Sequence, residues 1–83
     1  MINGNGKVNE YDEYYSLIKF EGEYLNGEKN GKGKEYDDGD LLFEGEYLNG
    51  KRWNGKGKEY DEFNALIFEG EYINGEKKQD NLD

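Results

Sequence analysis

The segment FEGEYLNGEKNGKGKEY, Phe20 to Tyr36, decides the fold, because the chain writes it nearly three times. It returns as FEGEYLNGKRWNGKGKEY, Phe43 to Tyr60, and its first half returns as FEGEYINGEK, Phe68 to Lys77. A second set of marks is NGKVNEYD at Asn5–Asp12 and NGKGKEYD at Asn30–Asp37 and Asn54–Asp61. A period in the twenties belongs to repeat arrays, where each unit stacks on its neighbours to bury an apolar face. Residues 1–83 therefore read as one repeat domain, with units at about 5–29 (partial), 30–53 and 54–78 (partial).

Inside a unit the period is two. In LLFEGEYL, Leu41, Phe43, Gly45 and Tyr47 fall on one side, and Leu42, Glu44, Glu46 and Leu48 on the other. That is strand alternation. The same parity holds for Ile18, Phe20, Gly22 and Tyr24, and for Leu66, Phe68, Gly70 and Tyr72. The glycine density would be costly in a helix. Asn-Gly closes each FEGEY strand at 26–27, 49–50 and 74–75, opens the next strand at 30–31 and 54–55, and Asp38-Gly39 supplies another two-residue turn. These pairs accept the positive φ of tight hairpins. The expected fold is all-β, an elongated single-layer antiparallel meander of hairpins. A type I′ turn at Asp38-Gly39 sets Tyr36 opposite Leu41, on the Phe43 face. The glycine of FEGEY leaves a gap that a neighbouring ring or lysine stem can cover.

Composition limits the chemistry. The chain has no Cys, His or Pro, and Ser16 is its one Ser/Thr hydroxyl. Thiol chemistry, disulfides and nucleophilic triads lack their residues. With 20 acidic and 11 basic residues, the net charge of -9 disfavours nucleic acid. No apolar run is long enough to span a bilayer as a helix, and no secretory leader is visible. A soluble cytoplasmic protein is the expectation.

FEGEYLNGEKNGKG (Phe20–Gly33) and FEGEYLNGKRWNGKG (Phe43–Gly57) resemble the core of the MORN repeat, the membrane occupation and recognition nexus motif. FEGEYINGEK matches its first half and NGKVNEYD, more loosely, its second. Departures are Tyr24, Tyr47 and Tyr72 where the family has Trp, Asn30 and Asn54 where His is common, Val8 where this chain otherwise has Gly33 and Gly57, and the inserted Trp53. The resemblance implies one hairpin per repeat in an elongated sheet with an aromatic-lined groove. It also implies scaffolding, self-association, partner-helix binding or contact with acidic phospholipid, with a peripheral place at a membrane or cytoskeleton.

The residues single out three candidate surfaces. Phe20, Tyr24, Tyr36, Phe43, Tyr47, Tyr60, Phe68 and Tyr72 form an aromatic face. It is either simple core or, since no helix is evident to cover it, both spine and groove for an amphipathic helix or a second copy of the chain. Arg52 and Trp53 are a candidate loop contact. Lys32, Lys34, Lys51, Lys56 and Lys58 form a candidate edge for lipid phosphates, although solvated turn lysines are the favoured reading. The paired carboxylates Glu21/Glu23, Glu44/Glu46 and Glu69/Glu71 read as a solvated face, because three identical pairs without a unique companion do not describe a glycosidase site. NGKGK lacks the Ser/Thr of a P-loop, and Asp37, Asp38 and Asp40 lack the spacing and distal Glu of a calcium loop. No catalytic residue, cofactor or metal is expected. The expected function is a non-enzymatic module for protein contact or self-association. The alternatives are an acidic-phospholipid adaptor and glycan binding by the Tyr and Trp faces.

Overall fold

The computed structural model describes residues 5–79 as one open antiparallel sheet of seven strands in meander order. The strands are β1 (Asn5–Tyr11), β2 (Ile18–Leu25), β3 (Glu28–Asp37), β4 (Asp40–Leu48), β5 (Lys51–Tyr60), β6 (Leu66–Ile73) and β7 (Glu76–Gln79). There is no helix among the described residues. The hairpin meander expected from the alternation is the fold that forms.

The Asn-Gly and Asp-Gly turns explain the register. Asn49 and Gly50 have φ of 52° and 83°, and Asp38 and Gly39 have 49° and 89°. Positive φ at both central residues is the type I′ requirement, and its twist matches that of the flanking strands. Asn30-Gly31 and Asn54-Gly55 do not open strands. They lie inside β3 and β5, which start at Glu28 and Lys51 directly after the preceding turns. The β2–β3 pairing is irregular between Gly22 and Tyr24, and there β3 spends extra residues at Asn30–Gly31.

Recurring bulges reset the faces. Glu35 pairs with Phe43 and Tyr36 pairs with Leu41, so Leu42 is one extra residue in β4. Lys19 in β2 and Ile67 in β6 are extra in the same way. A bulge sets two residues against one and turns the strand locally. It carries Glu10, Glu35 and Glu59, rather than their lysine or asparagine neighbours, onto the phenylalanine face.

The core lies on that face within a single layer. Phe20 and Phe43 are fully buried, and Tyr47, Phe68 and Tyr72 nearly so, with Tyr24 packed against them. The glycines make this possible. A Cβ at Gly33 would come within 2.8 Å of the Phe20 ring, and one at Gly57 within 2.9 Å of the Phe43 ring. Phe20 and Phe43 each lie over a bare stretch of the next strand, so the sheet itself is the floor under these two rings.

Candidate functional site

The aromatic face is a continuous ladder. Its rings run Tyr24, Phe20, Tyr47, Phe43, Tyr72, Phe68, each meeting the next edge-on at centroid distances of 5.3–5.9 Å. Edge-to-face pairs at this spacing add about 0.5–1.5 kcal/mol each beyond burial. Cations close the top. Lys29 Nζ stands 4.5 Å from the Phe20 centroid, Arg52 Cζ 5.0 Å from Phe43, and Lys77 Nζ 5.6 Å from Phe68.

Each ladder tyrosine is tied to a glutamate of the preceding odd-numbered strand. Tyr24 donates to Glu10, Tyr47 to Glu35 at 2.6 Å and Tyr72 to Glu59 at 2.6 Å. In two of the three sites a cation completes the set. Arg52 Nε bonds Glu35 at 2.9 Å while its Nη1 bonds the Tyr72 hydroxyl at 2.9 Å, and Lys77 bonds Glu59 at 2.8 Å. Burial acts to raise the Glu35 pKa, but the hydrogen bonds from Arg52 and Tyr47 outweigh it and hold the carboxyl below its ordinary value. Glu59 is lowered by the Lys77 and Tyr72 hydrogen bonds. Burial and then the Glu10 contact push the Tyr24 hydroxyl up to about 12, and burial and Glu35 raise Tyr47 further. Among the described residues, no buried side-chain polar atom lacks a partner.

The opposite face is a charge lattice. Glu21/Glu23, Glu44/Glu46 and Glu69/Glu71 form acidic columns, flanked by Lys32/Lys34 on β3 and Lys56/Lys58 on β5. Lys34 and Glu44 approach to 3.8 Å, and Lys58 and Glu69 to 4.0 Å. Lys51 joins this face opposite Leu48. A shallow groove crosses it, floored by Gly22, Gly33 and Gly45.

Two expectations about placement are corrected here. Tyr36 and Tyr60 do not join the aromatic face. Tyr36 pairs with Leu41 as expected, but the bulge at Leu42 leaves it on the charged face, where its hydroxyl donates to Glu21 at 3.0 Å. The bulge at Ile67 does the same to Tyr60, which is 41% exposed. Nor do Arg52 and Trp53 sit in a loop. Both are within β5, where Trp53 is the extra residue opposite β4, and Arg52 reaches over the ladder to Glu35. Trp53 folds over the Asn74-Gly75 turn: its carbonyl accepts from Gly75 N at 2.9 Å, and a Cβ on Gly75 would meet its ring at 2.8 Å.

The remaining six residues of the aromatic face, Phe20, Tyr24, Phe43, Tyr47, Phe68 and Tyr72, come together as read from the alternation. Sequence reading passed over Glu10, Glu35 and Glu59. Their mark was the thrice-written EYD, which places one carboxylate before each tyrosine of the odd-numbered strands. It also passed over the loops joining β1 to β2 and β5 to β6, where Tyr14, Tyr15 and Phe63 are the most exposed large hydrophobic side chains of the described residues.

No protein-family model, curated protein or solved structure matches the chain. Its function is therefore read from this geometry.

Proposed function

We propose that the chain is a non-enzymatic, MORN-type repeat module that contacts another protein chain or a second copy of itself. The hairpin period and the repeated FEGEY(L/I)NG unit support the family assignment. The observation that carries the function is the division of aromatic residues. The ladder is consumed in building a rigid sheet, while Tyr14, Tyr15 and Phe63 are held out at 79–84% exposure. Large exposed aromatics on a small acidic domain are contact surface. The ladder tyrosines act as frame: Tyr47 is 4% exposed and its hydroxyl is spent on Glu35.

The phospholipid reading is weaker on electrostatic grounds. Lys32, Lys34, Lys51, Lys56 and Lys58 share a face with six glutamates in alternating columns, so no continuous basic strip faces outward.

The test is sedimentation of the intact chain from micromolar to sub-millimolar concentration, together with selection of binders from a random-peptide display library. Mass rising with concentration, or saturable enrichment of a peptide family, is the expected result. A strict monomer that enriches nothing overturns the proposal.

A further inference from the structure

Antiparallel meander topology brings the loops after β1, β3 and β5 to one rim of the sheet. Residues 12–17, 37–42 and 61–66 on this rim hold seven carboxylates and no Lys or Arg. The same loops expose Tyr14, Tyr15, Leu17, Leu41, Phe63 and Leu66. The outer two loops are also ordered. Asp12 accepts the backbone N–H groups of Tyr14 at 2.9 Å, Tyr15 at 2.6 Å and Leu17 at 3.2 Å. Asp61 accepts those of Phe63 at 2.8 Å and Ala65 at 3.0 Å. The exposed rings are thus carried on loops already fixed in shape, which lowers the ordering cost of binding.

From this rim we infer a docking site for a basic amphipathic helix of a partner protein. The inference rests on the protein-contact reading above and adds the surface and the partner's chemistry. None of the seven carboxylates is in an ion pair among the described residues, and apolar rings set among them are complementary to a chain that interleaves apolar residues with Lys and Arg. They repel an acidic one, including a second copy of this chain with its charge of -9. Spacing selects the helix. Adjacent loops on the rim are two strands apart, about 10 Å. Seven residues of α-helix rise about 10.5 Å and return to the same side of the helix. Three residues of extended strand also cover about 10 Å, but an odd step puts the third side chain on the wrong side. The partner helix therefore places apolar residues at i, i+7 and i+14, one group per loop, with basic residues flanking them.

The experiment titrates the intact chain into a fluorescent synthetic helix of this design, with Leu at the three positions and Lys/Arg beside them. A Glu-for-Lys/Arg copy and a copy with shuffled leucine spacing are the controls. Saturable binding at least about tenfold tighter than to either control is expected, as one hot-spot contact is worth this much. The triple variant Tyr14→Ser/Tyr15→Ser/Phe63→Ser should lose that binding while keeping its melting temperature. A second variant, Glu13→Gln/Asp38→Asn/Asp40→Asn/Glu62→Gln, leaves the loop-shaping Asp12 and Asp61 in place. It should weaken binding and flatten its salt dependence. Lack of saturable binding to the basic helix at low salt overturns the inference. Binding that both variants retain also overturns the rim, although the protein-contact reading then survives. A chain whose only association is with itself, abolished by the triple variant, overturns the basic partner and assigns the rim to a second copy.

Discussion

Phe43 and Phe63 are the same residue type, twenty positions apart, at opposite extremes of solvent access: 0% and 82% exposed. The difference lies in what surrounds each in the chain. Phe43 sits in an alternating strand and faces Gly57 on β5, so its ring lies over that glycine and is walled in by Tyr47 and Tyr72. Phe63 lies two residues after Asp61, which accepts its backbone N–H, in a loop outside the strands. A single-layer sheet has no second layer to bury a side chain, so its strand rings are buried by glycine floors, by one another and by the cations laid over them. Apolar residues elsewhere stay in water unless another molecule covers them.

Substitution should separate the two regions most sharply. Phe43→Ala removes a fully buried ring contacting two tyrosines, and should lower unfolding free energy by about 3–5 kcal/mol. Phe63→Ala should stay within about 0.5 kcal/mol. Urea denaturation midpoints at unchanged slope measure both. Similar losses at the two positions would mean that Phe63 has a packing role its exposure denies.

Most of this contrast can be read in the sequence. The parity of FEGEY separates Phe43 from Glu44 and Glu46, and Asn-Gly places the turns. The bulges cannot be read, and with them the faces of Tyr36 and Tyr60. The extra residues Lys19, Leu42 and Ile67 share no side-chain chemistry that could mark them. A bulge is settled by pairing between strands: it lets Glu35 instead of Lys34 face the ladder, where Tyr47 and Arg52 receive it. The tyrosine–glutamate bonds were hidden for a related reason. Their partners are twelve to fourteen residues apart, on adjacent strands whose register the bulge itself fixes. Trp53 did carry a visible mark, as an insertion, but extra length is absorbed equally well by a wider loop or a strand bulge. Packing on the Asn74-Gly75 turn decided for the bulge.

Charge sharpens the comparison next. Glu35 on the ladder face is three-quarters shielded and bonded to Arg52, whereas Glu44 on the charged face is 58% exposed beside Lys34. Glu35→Gln should cost about 1.5–3 kcal/mol, the worth of hydrogen bonds to a charged group, and Glu44→Gln under about 1 kcal/mol. The pH dependence follows from the same site. A carboxyl lowered in the folded state contributes stability that is complete above its ordinary value of 4.5 and is lost as pH falls through the folded value. Acid unfolding monitored by tyrosine fluorescence should therefore begin below pH 4.5, with a shallower acid limb in Glu35→Gln. At the other end, Tyr24 is raised from 10.0 to about 12, so its contribution is complete below pH 10.0 and disappears as pH rises through about 12. Absorbance at the phenolate band reports that step, and a Tyr24 titrating at the ordinary value would remove the Glu10 bond from the ladder.

The smallest effect tests whether the rim loops are independent of the sheet that carries them. Asp61→Ala removes the acceptor for Phe63 N and Ala65 N, leaving the Asp61 N–Ala65 O bond in place. Because the loop buries no large side chain, the loss should remain local, with a global cost of about 0.5–1 kcal/mol or less. Hydrogen exchange should show the Phe63 and Ala65 amides opening faster, while amides of the β4–β5 ladder keep the protection set by global unfolding. If the ladder amides accelerate equally, the loop is part of the same cooperative unit as Phe43. The aromatic face and the rim would then be a single structure that cannot be tuned separately.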